Sequence, residues 1–112
     1  MAAIVNLVID QGSTWSQAFQ WLDPSGNPYD FTGYSARAML KRNIDDESVV
    51  SLTTLSGITL VPLEGRVTLT IAASVTDTLD GSYLYDLEIV SPSNVVTRLV
   101  QGTVTISPSV TR

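Results

Sequence analysis

Apolar side chains in this chain recur at every second residue, run after run, and that period belongs to strands with one face in a core and the other in water. From Arg66 to Ile71, Val67, Leu69 and Ile71 point one way while Arg66, Thr68 and Thr70 point the other. Tyr83, Tyr85, Leu87 and Ile89 alternate with Leu84, Asp86, Glu88 and Val90, a second face that mixes acids with aliphatics. Trp15, Gln17, Phe19 and Trp21 set aromatics on one side of another run, and Tyr34, Ala36, Ala38 and Leu40 alternate with Ser35, Arg37, Met39 and Lys41. Further runs at Ala3 to Ile9, Ser48 to Thr54, Ile58 to Val61 and Val95 to Ile106 bring the expectation to seven or eight strands, with Gly102 marking a bulge or bend in the last.

Turn-forming residues separate the runs at Asp10 to Ser13, Glu64-Gly65 and Ser91 to Asn94. Such spacing suits a sandwich or barrel rather than alternating strand and helix units. The connection Asp23-Pro24-Ser25-Gly26-Asn27-Pro28 is dense in residues that restrict φ or permit its positive values, so it predicts a tight link. The strands on either side of it, Trp15 to Trp21 and Tyr34 to Lys41, are expected to form a hairpin-like pair. Between Ala72 and Leu79 the alternation breaks, and Ala73, Ser74, Asp77 and Leu79 suit one or two helical turns crossing between sheets, too few for a helix stable by itself.

A chain of 112 residues has room for one core. With 44% hydrophobic and only 15% charged residues it does not belong with disordered chains. The expected organisation is one domain over residues 1–106 and a short tail over 107–112, the tail free or docked on a neighbour. The stretch Leu79-Asp80-Gly81-Ser82-Tyr83 places a turn glycine just before a strand that opens on tyrosine. Immunoglobulin-like domains use a tyrosine so placed, its hydroxyl bonded back to the backbone at a strand corner. Gly81 and Tyr83 are therefore the candidate corner, the plainer alternative being a core tyrosine with its hydroxyl at the rim. The expected fold is an immunoglobulin-like antiparallel β-sandwich with one short helical crossover.

Histidine and cysteine are both absent from the sequence. Every Ser-His-Asp or Cys-His arrangement is thereby excluded, as are disulfides, zinc knuckles and thiol nucleophiles. Two carboxylates, Asp86 and Glu88, share a strand face, and a glycosidase needs only two acids across a cleft. The simpler reading of this pair is a solvated outer face. Asp45-Asp46-Glu47 offers oxygens to a hard cation but lacks the spaced D-x-D-x-D-G pattern, and the glycines stand singly in turn contexts without phosphate-cradle spacing. No catalytic residue, metal or cofactor is expected, and the chain is not expected to be an enzyme.

The net charge is -5 and the six basic residues are mostly scattered, which disfavours both nucleic acid and an anionic membrane as partners. Met1 to Asp10 lacks the cationic start and cleavage site of a secretory leader, so none is expected. Candidate interaction residues are Trp15, Trp21, Tyr29 and Tyr34, which suit a sugar or peptide groove if exposed, although an aromatic stripe at strand period usually faces a core. Arg37 joins them because, with Lys41 and Arg42, it makes a small basic cluster suited to acidic neighbours in the same protein or in a partner.

A set of motifs spans nearly the whole chain: Gln11-Gly12-Ser13-Thr14-Trp15, Phe19 and Trp21-Leu22-Asp23 through Gly26-Asn27-Pro28, Asp30-Phe31-Thr32-Gly33-Tyr34-Ser35-Ala36-Arg37, Gly65-Arg66-Val67, Gly81 to Leu87, and Thr97 to Gly102. In these the chain resembles small β-sandwich virion proteins of tailed bacteriophages, and it is similar to the amino-terminal domain of phage upper baseplate proteins, which attaches receptor-binding parts to the tail. The resemblance implies a non-enzymatic structural protein, assembled into virions in the host cytoplasm. Its partners would be other virion proteins, at the tail or baseplate or on the major capsid protein, and it is open to forming a homo-oligomer. Two alternatives stand beside a tail accessory or attachment subunit: a capsid decoration or cement protein, and a carbohydrate- or receptor-binding module. Binding would work by surface complementarity, with Ala3 to Ile9 or the carboxy-terminal segment pairing with a neighbour's sheet edge.

Overall fold

The computed structural model describes residues 3–43 and 47–109. The alternating runs become β1 (Ala3–Ile4), β2 (Leu7–Asp10), β3 (Trp15–Gln20), β4 (Ser35–Lys41), β5 (Val50–Thr53), β6 (Ile58–Val61), β7 (Arg66–Ile71), β8 (Ser82–Val90) and β9 (Val96–Ser107), with one helical turn α1 (Ala73–Thr76) between β7 and β8. A three-stranded sheet has the order β3-β7-β6, and a six-stranded sheet has the order β1-β9-β8-β4-β5, with β2 also lying along β9. In immunoglobulin terms these are strands B, E and D facing G, F, C and C′. All pairings are antiparallel except those of β1 and β2, which run parallel to β9.

Alternation places Val67, Leu69 and Ile71 of β7 and Tyr83, Tyr85, Leu87 and Ile89 of β8 on the inner faces, where they join Ala36, Ala38, Leu40, Val100 and Val104 in one core. The three aromatics of β3 and its end, Trp15, Phe19 and Trp21, pack against that core while remaining half-exposed. The crossover carries the one fully buried polar side chain among the described residues, Thr76. Its hydroxyl donates to the Ser13 carbonyl at 2.7 Å and accepts from the Gly12 amide at 3.1 Å, which welds α1 to the turn between β2 and β3.

Several expectations are corrected. The strands flanking Asp23–Pro28 are not a hairpin pair: β3 pairs with β7, β4 pairs with β5 and β8, and the two lie in different sheets. The tight turn does form, with the Asp23 carboxylate accepting from the amides of Ser25 and Asn27 and a bridge joining Leu22 to Pro28. After it the chain crosses to the other sheet, held by a hydrogen bond from the Phe31 amide to the Pro62 carbonyl.

The predicted bulge at Gly102 lies instead at Leu99, where the register shifts opposite Leu87 and Glu88. Gly102 serves a different purpose. The edge strand closes over it so tightly that a Cβ there would stand 2.3 Å from the Val5 carbonyl oxygen. The Val5 amide still donates to the Gln101 carbonyl at 3.0 Å, and beyond it side chains take over from the ladder: the Tyr85 hydroxyl donates to the Val5 carbonyl at 2.6 Å, and the Thr103 amide donates to Asn6 Oδ1 at 3.1 Å. The run Ala3 to Ile9 is therefore two strands rather than one. Asp45 and Asp46 of the acidic run, and residues 110–112 of the expected tail, lie outside the described residues.

Candidate functional site

Two surfaces bring the candidate residues together, and they differ in chemistry. The first lies at one end of the sandwich, where the loop from Trp21 to Tyr34 meets the β8–β9 turn. Two backbone hydrogen bonds hold that loop against the turn before β7, Trp21 to the Gly65 carbonyl and Phe31 to the Pro62 carbonyl, and a third, Tyr29 to the Trp21 carbonyl, closes the loop on itself. The approach is so close that a Cβ on Gly65, whose φ is +60°, would stand 2.5 Å from the Trp21 carbonyl oxygen, so glycine is required there.

Phe31, buried, is the hub of an aromatic cluster. Tyr29 stacks on it with ring centroids 6.3 Å apart and planes 6° from parallel, Trp21 meets it edge-on at 6.4 Å, and Tyr34 is tilted against it at 5.6 Å. Such offset and edge-on geometries are the favourable ones for aromatic quadrupoles. The cluster forms one wall of a pocket of about 520 Å³ whose opposite wall comes from Ser93, Val95, Thr97, Arg98 and Leu99. Trp21, Tyr29 and Tyr34 are thus united in a groove, as their residue types suggest. Trp15 is not among them, because it lies at the far end of β3, opposite Ile71.

The second surface is the outer face of the six-stranded sheet. Register aligns Met39, Asp86, Gln101 and Ile4 in one row across β4, β8, β9 and β1, and Lys41, Leu84 and Thr103 in the next. Ile4, Leu84 and Met39 are 73%, 41% and 39% exposed, and with their neighbours they floor a groove of about 550 Å³. Arg37 belongs to this face, where its guanidinium pairs with Glu88 at 2.8 Å, and Arg98 stands 3.4 Å from Asp86. The Asp86–Glu88 pair raised as an acid-base candidate is thus committed to guanidinium partners. Arg98 borders both surfaces.

The Asp86 carboxyl is raised from its ordinary value by burial and, secondarily, by the Glu88 charge; Arg98, Lys41 and Arg37 oppose this without overcoming it. That balance is what desolvation in a half-buried site predicts when the cation is near but beyond hydrogen-bond distance. The Asp30 carboxyl, at the pocket's rim, is lowered by the hydroxyl and then the amide of Thr32, both of which donate to it. Among the described residues no group of three or more acidic, histidine or cysteine side chains is placed to share a metal, and no helix is long and apolar enough to cross a membrane.

No protein-family model and no curated protein matches the chain. The chemistry must therefore be read from the two surfaces themselves. The corner residues hold the structure in place. There the Asp80 amide donates to the Tyr83 hydroxyl at 3.1 Å, and the Arg42 guanidinium, paired with Asp80, lies over the Tyr83 ring at 4.2 Å from its centroid. Gly81, with a φ of 72°, turns the chain between them.

Sequence reading missed the second wall of the pocket, Val95, Thr97, Arg98 and Leu99. One signal for it exists: Val95 and Val96 follow directly on the polar turn Ser91 to Asn94 and are both exposed. Ile4, Met39 and Leu84 were legible as apolar residues at outward-facing alternate positions. Their meeting in one groove was not, since it depends on which strands pair.

Proposed function

We propose that this chain is a non-enzymatic structural protein of a tailed-phage virion, a tail or baseplate accessory subunit that binds a neighbouring virion protein through the outer face of its six-stranded sheet. The observation that carries the reading is the groove on that face, where Ile4, Met39 and Leu84 are exposed around Asp86 and Gln101, with the Arg98–Asp86 pair inside it and the Arg37–Glu88 pair beside it. Exposed apolar side chains set among charged pairs suit a protein partner: the apolar residues supply burial energy, and the charges set orientation and partner choice. The resemblance to phage baseplate sandwich domains supplies the virion context.

Separating particles into heads and tails and measuring the protein in each by mass spectrometry tests the reading. Recovery with tails at a copy number matching tail symmetry is the expected result; recovery on head shells would make it a decoration protein, and absence from both would overturn the virion role. A Leu84→Glu variant, which changes an exposed position only, should fold normally and fail to incorporate.

A further inference from the structure

We propose that the aromatic pocket between the Trp21–Tyr34 loop and the β8–β9 turn binds a neutral saccharide. Saccharide binding here does not depend on the assembly face, which lies across Arg98 on a different surface. The first ground is the shelf that Tyr29 makes. Its ring lies nearly parallel to the buried Phe31, offset with centroids 6.3 Å apart, and the residue is 46% exposed, so the ring is braced by the phenylalanine while still reaching solvent. The C–H face of a pyranose ring is apolar, and an aromatic face already held in place is the surface it stacks on with little ordering cost.

The second ground is the set of polar groups around the shelf. Within the described residues, the hydroxyls of Tyr29, Tyr34 and Thr97 and the indole N–H of Trp21 make no hydrogen bond to the protein, yet all four residues line the pocket. A ligand ringed by hydroxyls can satisfy such donors and acceptors while its apolar face lies on the tyrosine; an aliphatic ligand would leave them unmet. The third ground is charge. Arg98 is paired with Asp86 and Gln101, and the Asp30 carboxylate, kept ionised by Thr32, repels anions, so the described lining disfavours a phosphorylated or acidic sugar. A volume of about 520 Å³ falls within the range of small-ligand sites. The walls are preformed by the backbone bonds to Pro62 and Gly65.

Saturation-transfer NMR on the whole chain tests this, with glucose, galactose, N-acetylglucosamine, rhamnose and their disaccharides as probes. The expected result is transfer to the ring C–H protons of at least one of them, accompanied by shifts of the Trp21 indole and Tyr34 resonances. Tyr29→Ala should weaken that binding about tenfold, and Ser93→Trp, which fills the pocket from an exposed loop position without touching the core, should abolish it. Unchanged far-ultraviolet dichroism in both variants ties the losses to the pocket rather than to folding. No transfer to any probe overturns the proposal, as does binding that survives both substitutions. A proline decapeptide that shifts Trp21 and Tyr34 while every sugar fails would overturn it in favour of an extended peptide.

Discussion

Gly102→Ala should destabilise the protein by about 2–3 kcal/mol, even though φ at this position is not in the left-handed region and alanine is ordinarily the better strand residue. The added Cβ would lie 2.3 Å from the Val5 carbonyl oxygen and 2.9 Å from its carbon, both main-chain atoms that no rotamer change can move aside. Reaching ordinary van der Waals separation requires the β1–β2 line to shift outward by about 1 Å. That shift breaks the 2.6 Å bond from the Tyr85 hydroxyl to Val5 and strains the two bonds from Thr103 to Asn6 Oδ1. Overpacking costs about 1–3 kcal/mol and each lost hydrogen bond about 1, while replacing glycine returns about 0.5–1 through the unfolded chain. For a domain of this size the net corresponds to a Tm lower by about 10 °C.

The assay is urea unfolding followed by far-ultraviolet dichroism, run as a double-mutant cycle with Tyr85→Phe. Alone, Tyr85→Phe should cost about 1–2 kcal/mol, because it leaves the Val5 carbonyl without its donor. In the Gly102→Ala background it should cost almost nothing, since the bond is already gone. Stability within about 0.5 kcal/mol of the parent for Gly102→Ala, or costs that simply add, would refute the idea that Gly102 exists to admit the edge strand.

Three other outcomes follow from the same geometry. Thr76→Val removes the hydroxyl that serves both Gly12 and Ser13, leaving two backbone groups without partners, and should cost about 3 kcal/mol in chemical denaturation, whereas Thr76→Ser should retain most of the stability. Tyr83→Phe should cost about 1 kcal/mol and speed hydrogen exchange of the Asp80 amide while leaving other corner amides protected. Burial pushes the Tyr85 hydroxyl from 10.0 up to about 12. The native state then holds this proton more tightly than the unfolded chain, so the stability is fully present below pH 10.0 and is lost as pH rises towards about 12. Tyr85→Phe should flatten that alkaline limb of the stability curve.

Much of the candidate site was legible before folding, but unevenly. Trp21, Tyr29 and Tyr34 stand out as aromatics around a turn, and Asp23 with its glycine and prolines announces the turn itself, since those residues act locally. The hairpin expectation failed because a tight turn specifies only its own closure. Which strand β3 pairs with depends on burying Phe19 and Trp21 on the inner side of a sheet, and the ladder to β7 from Trp15↔Ile71 to Gln20↔Arg66 accomplishes that. Phe31 then draws the loop across to the second sheet. Arg98 and Thr97, far along the chain from Tyr29, reach the same pocket through the pairing of β9 with β8.

The sequence by itself determined the class of the fold, the placement of nearly every strand and the exclusion of histidine- and cysteine-based chemistry, because side-chain period, turn residues and composition are written one residue at a time. Tertiary structure alone decided which strands are neighbours, that the first run breaks where Tyr85 and Asn6 take over ladder bonds, and that Ile4, Met39 and Leu84 from three strands line one groove. Those outcomes rest on contacts between residues far apart in the chain, and their energies exist only once both sheets are packed face to face.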